Sequence, residues 1–439
     1  MKPSPPLVHQ PSKAVALDLS AFGGQLVETD RKKQQTYDAS RKIQVALIKA
    51  KSELERNQPQ DGKLDELLKS LVPDEASREP REANLSYRVE DYVCFKAYAY
   101  FLDCGRLIPP SDCQYATDEE YLGGALMGLC SDLARYGMGR ATARDVESVQ
   151  AARDLAQEIQ NELLQFDFRN GHLRRKFDGT KYSLKTLETL LYELSVTGSI
   201  LDSEEPAAKK LKMEILLPVD ELGELRKRME HRDDLREKLI KNCRDGQKAA
   251  KQTIFALHRG DRKKAGRLLA QCESCIRKDL LPIVTEEPPL RSGGSFMGVL
   301  EEYAEAKLFS VWLFGKDGSS KRGELLLTED FEVPLSPEEY LGGLCDLTGE
   351  IGRFAVQRGT ARDTDAVKLS LFTNSCILNA VQTLERLPGG TGKKMDQLRR
   401  SVEKIERMLY EMSLSEATGR KVSTSADAPE TKGHNEAGE

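Results

Sequence analysis

The chain of 439 residues carries 66 Lys and Arg against 71 Asp and Glu, a formal net charge of -5, with 31% of its residues charged. That balance excludes a strongly basic or strongly acidic disordered chain, and a hydrophobic content of 39% supplies a core. Length alone allows roughly two to four domains of about 100 to 200 residues.

In chain order, residues 1–29 read as a disordered tail whose opening Met1-Lys2-Pro3-Ser4-Pro5-Pro6 lacks the apolar run of a secretory signal. No 18 uninterrupted apolar residues occur anywhere, so no membrane partner is expected. Nine irregularly spaced cysteines predict reduced thiols and a cytoplasmic protein. Residues 36–56 and 220–258 are long, charged and amphipathic, with Ala250, Ile254 and Leu257 on one buried stripe.

Self-similarity at a spacing near 218 organises the rest. Thr117-Asp118-Glu119-Glu120-Tyr121-Leu122-Gly123-Gly124 returns as Ser336-Pro337-Glu338-Glu339-Tyr340-Leu341-Gly342-Gly343, and Ala141-Thr142-Ala143-Arg144-Asp145 as Gly359-Thr360-Ala361-Arg362-Asp363. A third echo pairs Leu191-Tyr192-Glu193-Leu194-Ser195 with Leu409-Tyr410-Glu411-Met412-Ser413. Both Tyr-Leu-Gly-Gly segments follow a capping box, Thr117 with Glu120 and Ser336 with Glu339, so those two glutamates are structural. No strand alternation is visible. The expected architecture is all-α, with two tandem helical domains at 30–198 and 220–418, a linker at 199–219 and a disordered tail at 419–439. The run Pro206-Ala207-Ala208-Lys209-Lys210-Leu211-Lys212 reads as a solvated linker, with nuclear import as its alternative role.

The first half, through Leu173-Arg174-Arg175-Lys176-Phe177-Asp178-Gly179-Thr180-Lys181-Tyr182 ahead of Leu191-Tyr192-Glu193-Leu194-Ser195, resembles translin. The second half is similar to translin-associated factor X (TRAX), through Leu300-Glu301-Glu302-Tyr303-Ala304-Glu305-Ala306 and Tyr340-Leu341-Gly342-Gly343-Leu344-Cys345-Asp346-Leu347-Thr348-Gly349-Glu350. The resemblance to the translin family spans residues 30 to 418. It implies about seven helices per domain and assembly into a closed octameric shell around single-stranded RNA or DNA. Four fused chains, alone or with separate translin or TRAX subunits, would supply eight units. It also implies that the TRAX-like half is a Mg-dependent endoribonuclease while the translin-like half supplies shell and nucleic-acid contacts. One departure is that the basic, histidine-rich cluster of translin is replaced by Tyr87-Arg88-Val89-Glu90-Asp91-Tyr92.

Helical spacing leads to a compatible chemistry. Glu302 and Glu305, at i and i+3, share a helix face, as do Asp346 and Glu350 at i and i+4. Both pairs lie in apolar segments where an unpaired carboxylate is expensive. Two such faces converging would suit a hard cation, Mg2+ or Mn2+, with oxygen ligands. All four are the expected catalytic and metal-binding residues, with Glu302 or Glu350 as general base. The bland alternative is solvated helix faces or pairing with Arg353 and Lys307. In the first half Asp91, Cys94, Gly128 and Asp132 occupy the corresponding positions, which predicts a silent domain.

Residues 241–267 hold nine basic side chains against two acidic ones, and Arg244, Lys248 and Lys251 repeat at i, i+4 and i+7 on one face. They are the expected nucleic-acid contacts, together with Arg174, Arg175, Lys176 and Lys181. Lys393, Lys394, Arg399 and Arg400 form the corresponding group of the second half. Cys272-Glu273-Ser274-Cys275 is a lone CxxC read as structural, and the five scattered histidines argue against a histidine-based ribonuclease. The expected function is a metal-dependent endoribonuclease that binds single-stranded RNA or DNA; the alternatives are a non-catalytic binding protein and a helical scaffold.

Overall fold

The computed structural model describes residues 17–56, 58, 62–72, 81–197, 216–316 and 322–418. The basic run at 206–212, the expected linker from 199 to 215, the first 16 residues and the tail from 419 lie outside these described residues. Among them the regular elements are all helical. The first half contains α1 (Ser20–Glu55), α2 (Lys63–Leu71), α3 (Ala83–Cys104), α4 (Asp118–Tyr121), α5 (Leu129–Thr142), α6 (Val146–Leu163) and α7 (His172–Val196). The second contains α8 (Val219–His258), α9 (Arg262–Cys275), α10 (Leu281–Glu286), α11 (Gly294–Phe314), α12 (Pro337–Thr360), α13 (Thr364–Gln382) and α14 (Thr391–Thr418). A π-helical stretch, Leu122–Gly128, carries α4 directly into α5, where α12 is one uninterrupted helix.

The repeated motifs are repeated pieces of local structure. Both capping boxes form: Glu120 N–H donates to Thr117 Oγ1 at 3.3 Å, and Glu339 N–H to Ser336 Oγ at 3.2 Å, each glutamate accepting from its N-cap amide in return. The next residue of each motif is also anchored: Tyr121 Oη donates to the Ile108 carbonyl at 2.6 Å and Tyr340 Oη to the Leu326 carbonyl at 2.7 Å. In the second motif Arg144 and Arg362 both adopt left-handed backbone, with φ of 62° and 61°. Each ends one helix so that the following aspartate can cap the next. Asp145 accepts from Ser148 N–H and Asp363 from Ala366 N–H, both at 3.1 Å.

The chain forms two compact units whose boundaries differ from the two sequence halves. One unit takes residues 28–241 with 281–293. Its core joins α1, α3, α5, α6 and α7 through Ile43, Val93, Leu126, Leu129, Leu155 and Ile159, and Leu217, Leu222 and Leu225 complete it. The end of the expected linker is therefore packed: Leu217 is buried, and Leu107 N–H donates to the Leu216 carbonyl at 3.0 Å.

The other unit takes 242–280, 294–418 and the N-terminal residues through Val27. Trp312, Tyr303, Phe296, Phe309 and Tyr340 are its largest buried side chains, and the Trp312 indole donates to Thr373 Oγ1 at 3.0 Å. The expectation of a disordered tail up to residue 29 is corrected over 17–29. Asp18 accepts from the Ser20 amide at 2.9 Å to start α1, and Leu19, Phe22 and Leu26 are buried. The Phe22 ring meets Tyr340 with centroids 5.4 Å apart. Three apolar residues at i, i+3 and i+7 give that first turn a face to bury, and this outweighs the polar composition around it.

Candidate metal centre and nucleic-acid interface

The Gly-Gly pair determines where the carboxylates stand. A Cβ on Gly343 would lie 2.7 Å from the Glu301 carbonyl oxygen and 2.6 Å from Ala304 Cβ, so α12 crosses α11 backbone against backbone at this point. Gly124 meets Glu90 and Val93 of α3 in the same way. That contact sets Asp346 and Glu350, one and two turns further along α12, beside Glu302 and Glu305 of α11.

Glu305 is the centre of the group. It is 8% exposed, and no side chain among the described residues hydrogen-bonds or ion-pairs with its carboxylate. Burial first, then the charges of Asp346, Glu350 and Glu302, push its carboxyl up to about 8, against a smaller opposing pull from Lys394. Glu302, Asp346 and Glu350 thus lie within electrostatic reach of Glu305.

The outer three each carry a cation. Lys251 Nζ lies 3.0 Å from Glu302 Oε1. Lys394 Nζ bridges Asp346 Oδ2 and Glu301 Oε2, each at 2.7 Å, and also donates to the Gly342 carbonyl at 3.2 Å. His258 Nε2 stands 2.5 Å from Glu350 Oε2, with Arg353 3.2 Å from the same oxygen. Burial raises the Asp346 carboxyl, and its hydrogen bond from Lys394 works the other way. The bland pairing is thus half right. Arg353 does hold Glu350, but Lys307 turns away to Glu273 and Glu332, at 3.0 and 2.9 Å.

Among the described residues no three His, Cys, Asp or Glu side chains gather closely enough to hold a metal ion in this conformation. The donor chemistry nevertheless fits a hard divalent cation. Three further carboxylates and one imidazole lie around a buried acid that no cation among the described residues pairs with, and a bound cation would stabilise its ionised form.

The first half repeats the frame without the centre. Lys176 pairs with Glu90 and donates to the Gly123 carbonyl, as Lys394 does with Glu301 and Gly342. Asp132 is approached by Lys51 at 3.9 Å and paired with Arg135 at 2.5 Å, matching His258 and Arg353 on Glu350. Where Glu305 stands, however, is Cys94, whose buried thiol is pushed well above its ordinary range and donates to Asp132 Oδ2 at 3.2 Å. A side chain on Gly128 would crowd Cys94 Sγ at 3.0 Å. Asp91 turns to Arg88 at 2.6 Å. That set offers two carboxylates where the second half offers four.

Among the expected nucleic-acid contacts, Arg244, Lys248 and Lys251 are exposed on α8, and Lys251 joins this stripe to Glu302. Arg175 and Lys181 are exposed on α7, whereas Arg174 is offset by Asp178 at 3.3 Å. Lys176 has Glu90 and a main-chain carbonyl as partners and braces α7 against α3, and Lys394 is its counterpart. His258 was set aside with the other histidines and proves to touch the site. Glu301, Lys394 and Lys176 were recoverable from the duplication, since Glu90 aligns with Glu301 and Lys176 with Lys394. His258 carried no such signal, because its counterpart is a lysine. Burial raises the Cys272 and Cys275 thiols to about 12 and about 11, as suits structural cysteines.

Known proteins carry the same unit. Translin-associated protein X homolog of Schizosaccharomyces pombe is 27% identical over 217 residues, which is 45% of this chain and 91% of the relative. Human translin is 32% identical over 80 residues, 18% of this chain and 35% of that protein, so the chain spans about a third of the translin relatives it matches. A solved structure described as an AfC3PO–duplex RNA complex aligns with 45% of this chain and 98% of its own at 21% identity and a TM-score of 0.40. The family model for translin matches residues 31–198 and again 234–416. Matched twice, once in each half of the duplication and over most of its length, the chain belongs to the translin family.

Proposed function

We propose that this chain is a Mg2+- or Mn2+-dependent endoribonuclease for single-stranded RNA, with chemistry confined to the second half and nucleic-acid binding shared by both. The observation that carries this reading is Glu305, a buried acid flanked by Glu302, Asp346 and Glu350 and with no paired cation among the described residues. Those four residues would hold the ion, which when bound supplies a water of lowered pKa and polarises a phosphoryl oxygen. Glu350 or Glu302 accepts the proton of the attacking water, with His258 holding Glu350 in place. Arg244 and Lys248 hold the flanking phosphates, and Lys251 brings that stripe to the edge of the carboxylate group.

The deciding experiment is cleavage of an end-labelled single-stranded RNA in Mg2+ and in EDTA. Cleavage should require the cation and should disappear in E302A, E305A, D346A and E350A while RNA affinity persists; D132A should cleave at the normal rate. Full activity in E305A would remove the assignment. The three cation-paired outer carboxylates favour a second reading, a binding protein without catalysis, and binding to RNA with no Mg2+-dependent product would establish it. Single-stranded DNA should bind through the same phosphate contacts. In the cytoplasm we expect four chains to close an eight-unit shell, which light scattering would register as four times the chain mass.

A further inference from the structure

On α8 the exposed face continues beyond the three basic residues. Arg244, Lys248, Lys251 and Phe255 follow at i, i+4, i+7 and i+11, which places the four within roughly 60° of one another around the helix and along about 16 Å of its length, and Arg259 follows in the turn just after the helix ends. All are exposed, and Phe255 is 56% accessible. The apolar residues of the same segment, Ala250, Ile254 and Leu257, are buried on the opposite side. A large apolar ring left outside while its neighbours supply the core has no packing role in this unit. Arg259 stacks its guanidinium over the ring at 4.1 Å.

We propose that Phe255, backed by Arg259, is a base-stacking platform for a single-stranded nucleic acid whose phosphates lie on Arg244, Lys248 and Lys251. A cationic row with one solvent-facing aromatic inside it matches the two chemical faces of a single strand, charged backbone and flat base. A duplex would hide its base faces inside the stack and leave the ring without a partner. Because Lys251 is also bound to Glu302, a base seated on Phe255 belongs to a nucleotide next to the carboxylate group, and the platform fixes which phosphate is presented there. The proposal rests on the nucleic-acid reading given above and adds an unpaired base as the element recognised.

The test uses the full chain, a short single-stranded RNA, the same oligomer with abasic residues, and a third version carrying 2-aminopurine, whose fluorescence falls on stacking. F255A should weaken the RNA by about 5- to 100-fold, the range for loss of one base–aromatic stack, leave the abasic oligomer within twofold, and abolish the fluorescence quenching. F255W should restore both affinity and quenching. K248A with K251A should weaken both oligomers alike and flatten the salt dependence. Equal losses on RNA and abasic oligomer in F255A, or unchanged affinity for both, would overturn the platform while leaving the binding reading intact. A change of oligomeric mass in F255A without any base-dependent loss would identify the ring as a subunit contact and also overturn it. Failure of the unaltered chain to bind either oligomer would remove the nucleic-acid reading itself.

Discussion

A buried glutamate whose carboxyl titrates near 8 is a stability term with a definite sign. In the unfolded chain that group ionises near its ordinary 4.5, and in the folded chain it keeps its proton to about 8. Between those values the folded state holds one more proton, so its contribution to stability is complete below pH 4.5 and is lost as pH rises through 8. In EDTA, thermal unfolding should show the intact chain losing stability from pH 5 to 8 relative to E305Q, which keeps a neutral amide throughout. Added Mg2+ should raise the melting temperature most at the alkaline end, and should leave E305Q unmoved; parallel curves for the two proteins would show that Glu305 is not the strained acid of the site. Arg362 poses a different residue-scale problem. Its left-handed backbone costs an L-residue about 1 kcal/mol that glycine avoids, and its side chain is exposed. R362G should therefore unfold at a slightly higher temperature, with stability raised by no more than about 0.5 kcal/mol after the entropy gained by the unfolded chain is deducted.

The contact of α11 with α12 shows which parts of the site were written locally. Helical spacing alone placed Glu302 with Glu305 and Asp346 with Glu350, and the capping boxes located the start of α12, because both are rules about neighbours within four residues. The cations that hold the outer carboxylates were hidden because they are long-range. Lys394 reaches Glu301 across 93 positions, and His258 reaches Glu350 across 92. A lysine in a basic run looks like a phosphate contact, and the carboxylate it pairs with, as Lys176 does with Glu90, shows only once the partner helix is known. The early start of α1 was hidden for a similar reason, since Phe22 packs against the sequence-distant Tyr340. The Gly-Gly pair turns this into an element-scale prediction. G343A forces a methyl group against the Glu301 carbonyl and Ala304, and should cost about 1 to 3 kcal/mol while separating the two carboxylate pairs and lowering cleavage. Gly349 on the same helix has open space around its Cα, so G349A should instead gain up to about 1 kcal/mol from helix propensity. Equal effects of the two substitutions in urea unfolding would mean that the close crossing has no structural weight.

At the scale of the whole chain, the units that pack are not the units that were duplicated. The first half of the sequence supplies most of one core, but Leu217 from the end of the expected linker and Leu222 and Leu225 from beyond it are part of it. The polar contacts follow the same route. Glu221 accepts from the Ser111 amide at 2.8 Å, Arg228 pairs with Asp118 at 2.7 Å, and Arg169 reaches both Asp233 and Glu237. A cut between the sequence repeats, at residue 198, would therefore expose an apolar strip that the intact unit covers. Burying three leucines contributes on the order of 5 to 9 kcal/mol, comparable with the entire stability of an ordinary domain. A fragment of residues 28–198 should show helical far-ultraviolet dichroism without a cooperative thermal transition and should bind a hydrophobic dye. A fragment of residues 28–241 should melt cooperatively. The substitution L222A in the longer fragment separates this account from a simple effect of length. It should remove about 2 to 5 kcal/mol, because the cavity it leaves lies within a core built from both sides of the linker. Equal melting of the two fragments would show that the first repeat folds by itself and that the leading turns of α8 only rest upon it.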